Sequence, residues 1–159
     1  MSLREKGAAL AASNAGSWWF LNVANRIDRV LLPATRGRVS SAPGRNILLL
    51  DTTGAKSGER RRTPLQFVRD GDHVVLIASR GGDVKHPAWF HNLKKEPRVH
   101  LIGPRITGDW RARVAQGDER ERLWRLAAQY YPGYDTYRDR AGGREIPVVV
   151  LERAAGTAA

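Results

Sequence analysis

Not one cysteine occurs in the 159 residues of this chain. That excludes disulfides, thiolate metal sites and a cysteine nucleophile, and it is compatible with a reducing, cytoplasmic setting. No apolar run reaches the roughly 18–20 residues that cross a bilayer as a helix. The N-terminus also lacks a signal-peptide core, since Arg4, Glu5 and Lys6 lead into an Ala-rich stretch without a sustained apolar segment. The four histidines, His73, His86, His91 and His100, fall into no HExxH or comparable spacing, so no metal site is expected. Acidic residues are few: 16 against 27 Lys and Arg, a formal charge of +11 that nucleic acid, an anionic membrane or an acidic small molecule would each match. The basic residues are dispersed, and no RNP, zinc-finger or double-stranded-RNA motif accompanies them. Specific nucleic-acid recognition is therefore not expected, although weak salt-sensitive binding is.

An ordinary apolar fraction of 42% and the absence of repeats favour one sizeable core. Residues 1–45 read as an N-terminal helix and linker, and 46–153 as the main domain. Within the first part, residues 17–32 carry Trp19, Val23, Ile27 and Val30 or Leu31 at helical spacing, with Asn22, Arg26 and Arg29 opposite. Trp18 and Phe20 thicken that face. Two readings fit: a helix laid on the main domain, and an interfacial helix in peripheral contact with a membrane. Pro33 and Gly37 close the segment.

Strands are expected at 46–51, 61–69, 73–79, 98–103, 105–116 and 146–152. The apolar runs in 47–50, 74–78 and 148–151 are continuous rather than alternating, which predicts strands buried on both faces. A short helix is expected from Pro87 to Lys95. A longer one starts at Asp118, capped by its own side chain, and stops at Pro132-Gly133. Six strands with few helices predict a mainly β protein, a closed or partly closed antiparallel barrel with flanking helices.

The densest chemistry lies in the segment LLLDTTGAKSGERRRTPL, residues 48–65. Gly54 and Gly58 permit a tight turn whose N–H groups face one concavity, and Lys56, Ser57 and Arg61 surround it with groups suited to phosphate or carboxylate. A Walker-type loop is refused, because Leu50 and Ala55 stand where that pattern needs glycine. The same segment also fits a hairpin turn whose arginines face water.

The order TTGxKSGxxRxTPL, then ASRGG, then HPAWFHNL, then YYPGYDTY resembles the deazaflavin-dependent nitroreductase family of actinobacteria, and the likeness extends from about Asn46 to Glu152. The resemblance implies a split β-barrel of the FMN-binding type. It implies coenzyme F-420, a deazaflavin with a phosphate and an oligoglutamate tail. It further implies that Thr53, Gly54, Lys56, Ser57, Arg61, Thr63 and Pro64 hold the phosphate and tail; Arg60 and Arg62 are additional charges, which strand alternation points opposite to Arg61, into water or toward the tail. Ala78, Ser79, Arg80, Gly81 and Gly82 would lie along the ring and its linker. Ala88 would widen the pocket, and Trp89 would either lie near the cofactor or pack in the core. Tyr131, Tyr134 and Tyr137, three apart, would form an exposed row that positions a substrate, or else a structural cluster.

The implied activity is hydride transfer from the reduced coenzyme to an electron-poor acceptor such as a quinone or nitroaromatic. Two other readings stand beside it. One is a split-barrel protein that binds FMN, haem or a lipid, with FMN the second choice of cofactor. The other is a basic protein that binds anions or a membrane. A homo-oligomer is compatible with all three.

Overall fold

The computed structural model describes residues 23–35, 37–41 and 44–156. Seven strands form one antiparallel sheet: β1 Ile47–Thr53, β2 Arg60–Gln66, β3 Val68–Asp70, β4 His73–Ile77, β5 Arg98–Ile102, β6 Gly108–Val114 and β7 Val148–Arg153. Their order is β2-β1-β5-β6-β7-β4-β3. Its two edge strands, β2 and β3, are separated in sequence by Phe67 alone, so the segment 60–70 spans both edges and the sheet curls into a barrel. The expected strand at 61–69 is thus divided at Phe67, whose N–H bonds to Asn46 O at 3.0 Å. Counted as one, β2 and β3 give the six strands anticipated.

The continuous apolar runs have the predicted cause. Leu48, Leu50, Val74, Leu76, Val149 and Leu151 fill the barrel with Leu101 and Trp110. Their neighbours point outward: Val75, Ile77, Val148 and Val150 meet Leu123, Trp124 and Ala127 of the helical layer, and Ile47 and Leu49 meet Leu32. Each fully buried Leu or Val contributes about 1.5–3 kcal/mol relative to exposure.

Among the described residues four helices flank the sheet: α1 Asn25–Ala34, α2 Ala88–Lys95, α3 Gly117–Tyr130 and α4 Gly133–Arg140. The expectations need correction at four places. In α1 the buried side is Asp28 and Leu32, continued by Ala24 at the N-cap, whereas Ile27 is 42% and Val30 70% exposed. The helix packs on β1 through a narrower stripe than the sequence offered, and Pro33 is accommodated in its last turn. Residues 17–22, including Trp18, Trp19 and Phe20, lie outside the described residues. The strand expected from 105 starts at Gly108, because Thr107 Oγ1 binds both Gly103 N and Gly103 O and closes a turn there. Asp118 makes no capping bond. The N-cap is Gln116, and Asp118 with Glu119 acts by charge in the first turn. Pro132 does stop α3, yet it also opens a further helix, α4, with Pro132 at its N-cap.

Candidate active site

The β1–β2 hairpin carries the glycine-rich turn. Thr53 faces Arg60 across the ladder, and Gly54 N–H to Glu59 O, at 2.7 Å, closes the loop. Lys56, Ser57 and Gly58 are exposed at its tip. Arg61 is 57% exposed, 3.2 Å from Glu59 and 3.5 Å from Ser57 Oγ. Thr63 and Pro64 sit farther down β2, opposite Leu50 and Leu49, with Pro64 buried.

Arg60 and Arg62 do point away from Arg61; Arg62 is half-buried, and Arg60 remains 63% exposed. Both bind Asp51, which is only 4% exposed on β1, Arg62 in a fork at 2.7 and 2.8 Å. Burial pushes the Asp51 carboxyl upward, and the hydrogen bonds and charges of Arg62 and Arg60 outweigh it, leaving the group below the usual carboxylate range. Arg60 and Arg62 are therefore engaged by a buried carboxylate, and Arg61 only by the exposed Glu59. Lys56 and Arg61 are left facing outward.

The second segment follows β4. Ala78 and Ser79 are buried, and Ser79 leads into the short turn Arg80–Gly82. Arg80, Gly81 and Gly82 have positive φ of 49°, 65° and 82°. Gly82 has a packing reason to be glycine: a Cβ there would stand 2.9 Å from Tyr137 O and 3.0 Å from Tyr137 Cα. The turn is thus seated directly on α4.

Helix α2 joins the two segments. Asn92, 8% exposed, donates from Nδ2 to Thr52 Oγ1 at 3.1 Å and accepts from Ala55 N–H at 2.9 Å. Lys95 Nζ donates to Ala55 O at 2.6 Å. One turn or more earlier, Ala88 and His91 line an open cleft of about 600 Å³ together with Arg80, Lys85, His86 and Arg144. Positions 88, 91, 92 and 95 share one helical face, so a single eight-residue helix, about 12 Å long, fixes the hairpin turn relative to the loop. Trp89 turns the other way, into the barrel core at 6% exposure.

The tyrosines come together as their spacing predicted, with ring centroids 5.2–6.3 Å apart. They are not an exposed row, however: Tyr131, Tyr134 and Tyr137 are 6%, 5% and 8% exposed and pack with Trp124. Tyr131 and Tyr137 share a hydroxyl contact of 3.2 Å, Gln66 Nε2 donates to Tyr134 at 3.3 Å, and Arg45 lies 4.6 Å over the Tyr131 ring. Burial raises the Tyr131 and Tyr134 phenols above their usual range, so both are protonated donors at neutral pH.

Asn92, Arg144, His86 and Asp51 were assigned no role from sequence. Asn92 lay inside the quoted HPAWFHNL motif. Arg144, in AGGREIP, carried no local signal. Among the described residues no group of three or more His, Asp or Glu is placed to hold a metal ion.

A curled antiparallel barrel with a cationic hairpin turn and a glycine loop bridged by one helix defines a split β-barrel with a candidate anion site. Residues 24–153 match the family described as F420H(2)-dependent quinone reductase. A curated F420H(2)-dependent quinone reductase of Mycobacterium tuberculosis is 40% identical over 133 residues, covering 80% of this chain and 89% of the relative. Among solved structures, an F420-H2 dependent reductase is 43% identical with a TM-score of 0.62, over 68% of this chain and 95% of that one. A second solved structure, described as a domain-swapped dimer, is 39% identical with a TM-score of 0.65, over 80% of this chain and 94% of that one. The chain belongs to the F420H(2)-dependent quinone reductase family.

Proposed function

We propose that this protein is an oxidoreductase that passes a hydride from reduced coenzyme F-420 to a quinone-type acceptor. The observation that carries the reading is family membership across residues 24–153, at 40% identity to a relative bearing that name. The residues present fit such a coenzyme. Lys56 and Arg61 face outward on an exposed turn, which suits phosphate and carboxylate oxygens, and Arg80 stands on the loop that lines the cleft. When bound, the reduced deazaflavin supplies the hydride.

The chain's own part is placement. Asn92 and Lys95 hold the anion-binding turn, the Ser79–Gly82 segment offers backbone to the ring, and the cleft beside Ala88 admits the flat molecule. The tyrosine cluster adjoins that loop through Gly82 and presents protonated hydroxyls. In this reading Tyr131, Tyr134 and Tyr137 orient the acceptor.

Fluorescence titration with the oxidised coenzyme and, separately, with FMN tests the cofactor assignment. Tighter binding of the deazaflavin is expected, and equal or tighter FMN binding would refute it. Oxidation of the reduced coenzyme by a quinone completes the test.

Two partner proposals accompany this function. Self-association is supported by the relative solved as a domain-swapped dimer, and light scattering on the purified chain would decide it. Peripheral contact with an anionic membrane is supported by Ile27 and Val30, exposed beside Arg26 and Arg29 on α1, and co-sedimentation with anionic vesicles would decide that. Among the described residues no helix is long and apolar enough to cross a membrane. A cytoplasmic location belongs to the same proposal.

A further inference from the structure

Arg144 lies outside every motif in the sequence, yet its guanidinium is the hub of the loop that follows β4. Nε donates to Asp83 O at 2.9 Å, one terminal nitrogen to Ser79 O at 2.8 Å, and the other to Ala78 O at 3.3 Å. That last nitrogen also lies 2.8 Å from His86 Nδ1. A guanidinium has no acceptor, so Nδ1 must receive this bond, which makes His86 a neutral ring with its proton on Nε2. Three carbonyls and one imidazole thus point at a single cation, and the Ala78–His86 segment is drawn around it.

We propose that Arg144 and His86 are positioning residues for coenzyme binding: Arg144 sets the conformation of the 78–86 loop, and the loop keeps that conformation only while His86 is neutral. The inference rests on the proposed use of this loop as part of the coenzyme site, and it adds a pair of residues and a proton dependence to it.

The surroundings of His86 fix the sign. Arg144 faces it from the segment after α4, His91 and Lys94 from α2, and Arg80 and Lys85 line the same cleft. Asp83, on the loop itself, is 3.4 Å from Arg80 and accepts from Lys85 N–H, so its charge is already engaged. Partial burial, then Arg144, His91 and Lys94, hold the imidazole below its ordinary value near 6.5. In the unfolded chain His86 takes a proton near that ordinary value, and in the folded loop only at lower pH. The loop's hold is therefore complete above about pH 6.5 and is lost as pH falls through the folded value. A protonated His86 would offer Arg144 a donor and a like charge where it now offers a lone pair.

The test uses the full chain and three variants. Asn in place of His86 keeps an acceptor near the Nδ1 position but cannot titrate, Leu removes the acceptor, and Arg144→Gln removes the hub. Hydrogen exchange of the peptide spanning 79–86 in the coenzyme-free protein reads the loop directly. Coenzyme affinity by fluorescence reads the consequence. In wild type, protection of this peptide relative to the intrinsic exchange rate at each pH should fall, and affinity should fall with it, by about tenfold or more, between pH 7 and pH 5. His86→Asn should hold wild-type protection across that range, and its affinity should lose only the part that the coenzyme's own ionisation contributes to every variant. His86→Leu and Arg144→Gln should be fast-exchanging and weak-binding at both pH values while retaining a cooperative thermal transition. Identical pH profiles for wild type and His86→Asn would overturn the proposal, as would wild-type protection in Arg144→Gln. If exchange follows the expected pattern while no protein form binds the coenzyme, the positioning pair stands and the cofactor assignment falls.

Discussion

Asn92→Ala probes the join between the hairpin turn and the rest of the site. The side chain is 8% exposed and satisfies Thr52 Oγ1 and Ala55 N–H at once. Each bond contributes about 1 kcal/mol net. Thr52 is 3% exposed, so its hydroxyl would lose a partner in a place water reaches poorly, whereas half-exposed Ala55 can be rehydrated. The expected loss is about 2–3 kcal/mol, which for a chain of this size lowers the melting temperature by about 5–10 °C. The turn would then be held to α2 by the Lys95–Ala55 bond, and coenzyme affinity should drop by about tenfold, or about 1.4 kcal/mol. Asn92→Asp separates the bond from the charge. It keeps the acceptor for Ala55 N–H, can accept from Thr52, and lies near Lys95, so it should melt closer to wild type than the Ala variant. Differential scanning fluorimetry and coenzyme titration on the three proteins measure both quantities. An Ala variant that melts within about 1 °C of wild type and binds equally would show that α2 does not hold the turn.

Three further outcomes are expected. Lys56→Ala and Arg61→Ala should each weaken coenzyme binding by about 1–3 kcal/mol, with the gap narrowing at high salt because the wild-type attraction is itself screened; wild-type affinity in both would remove the turn from the site. Gly82→Ala adds a Cβ 2.9 Å from Tyr137 O at a φ of +82°, and should cost about 2 kcal/mol or more in a denaturant melt and disturb the cleft. Single Tyr→Phe changes at Tyr131, Tyr134 and Tyr137 keep the rings, so a tenfold fall in quinone turnover with an unchanged melt marks a positioning hydroxyl. A lower melt with normal turnover marks a structural one.

The sequence by itself determined the class of fold and the order of its chemistry. Continuous apolar runs at 47–50, 74–78 and 148–151 can only be satisfied on two sides, and both the barrel interior and the helical layer take their share. The resemblance from Asn46 to Glu152 located the hairpin turn, the glycine loop and the tyrosines, because those groups are local in sequence and their residue types are constrained by turns and charge. What the tertiary structure alone decided is which of these groups are free to act. Arg60 and Arg62 looked available, but strand register sets them against Asp51, a partner nine and eleven residues away. The tyrosines looked exposed at the end of a helix, but α4 folds back and buries them on Trp124. Face selection in α1 went to Asp28 and Leu32, continued by Ala24 at the N-cap, because contact with β1 outweighed the larger side chains on the other side. Arg144 shows the same limit most plainly: its partners, Ala78, Ser79, Asp83 and His86, lie 58 to 66 residues earlier, a separation that no local pattern encodes. Hydrogen-bond geometry across such distances exists only once the chain has folded, and it is there that committed charges part from those left for a ligand.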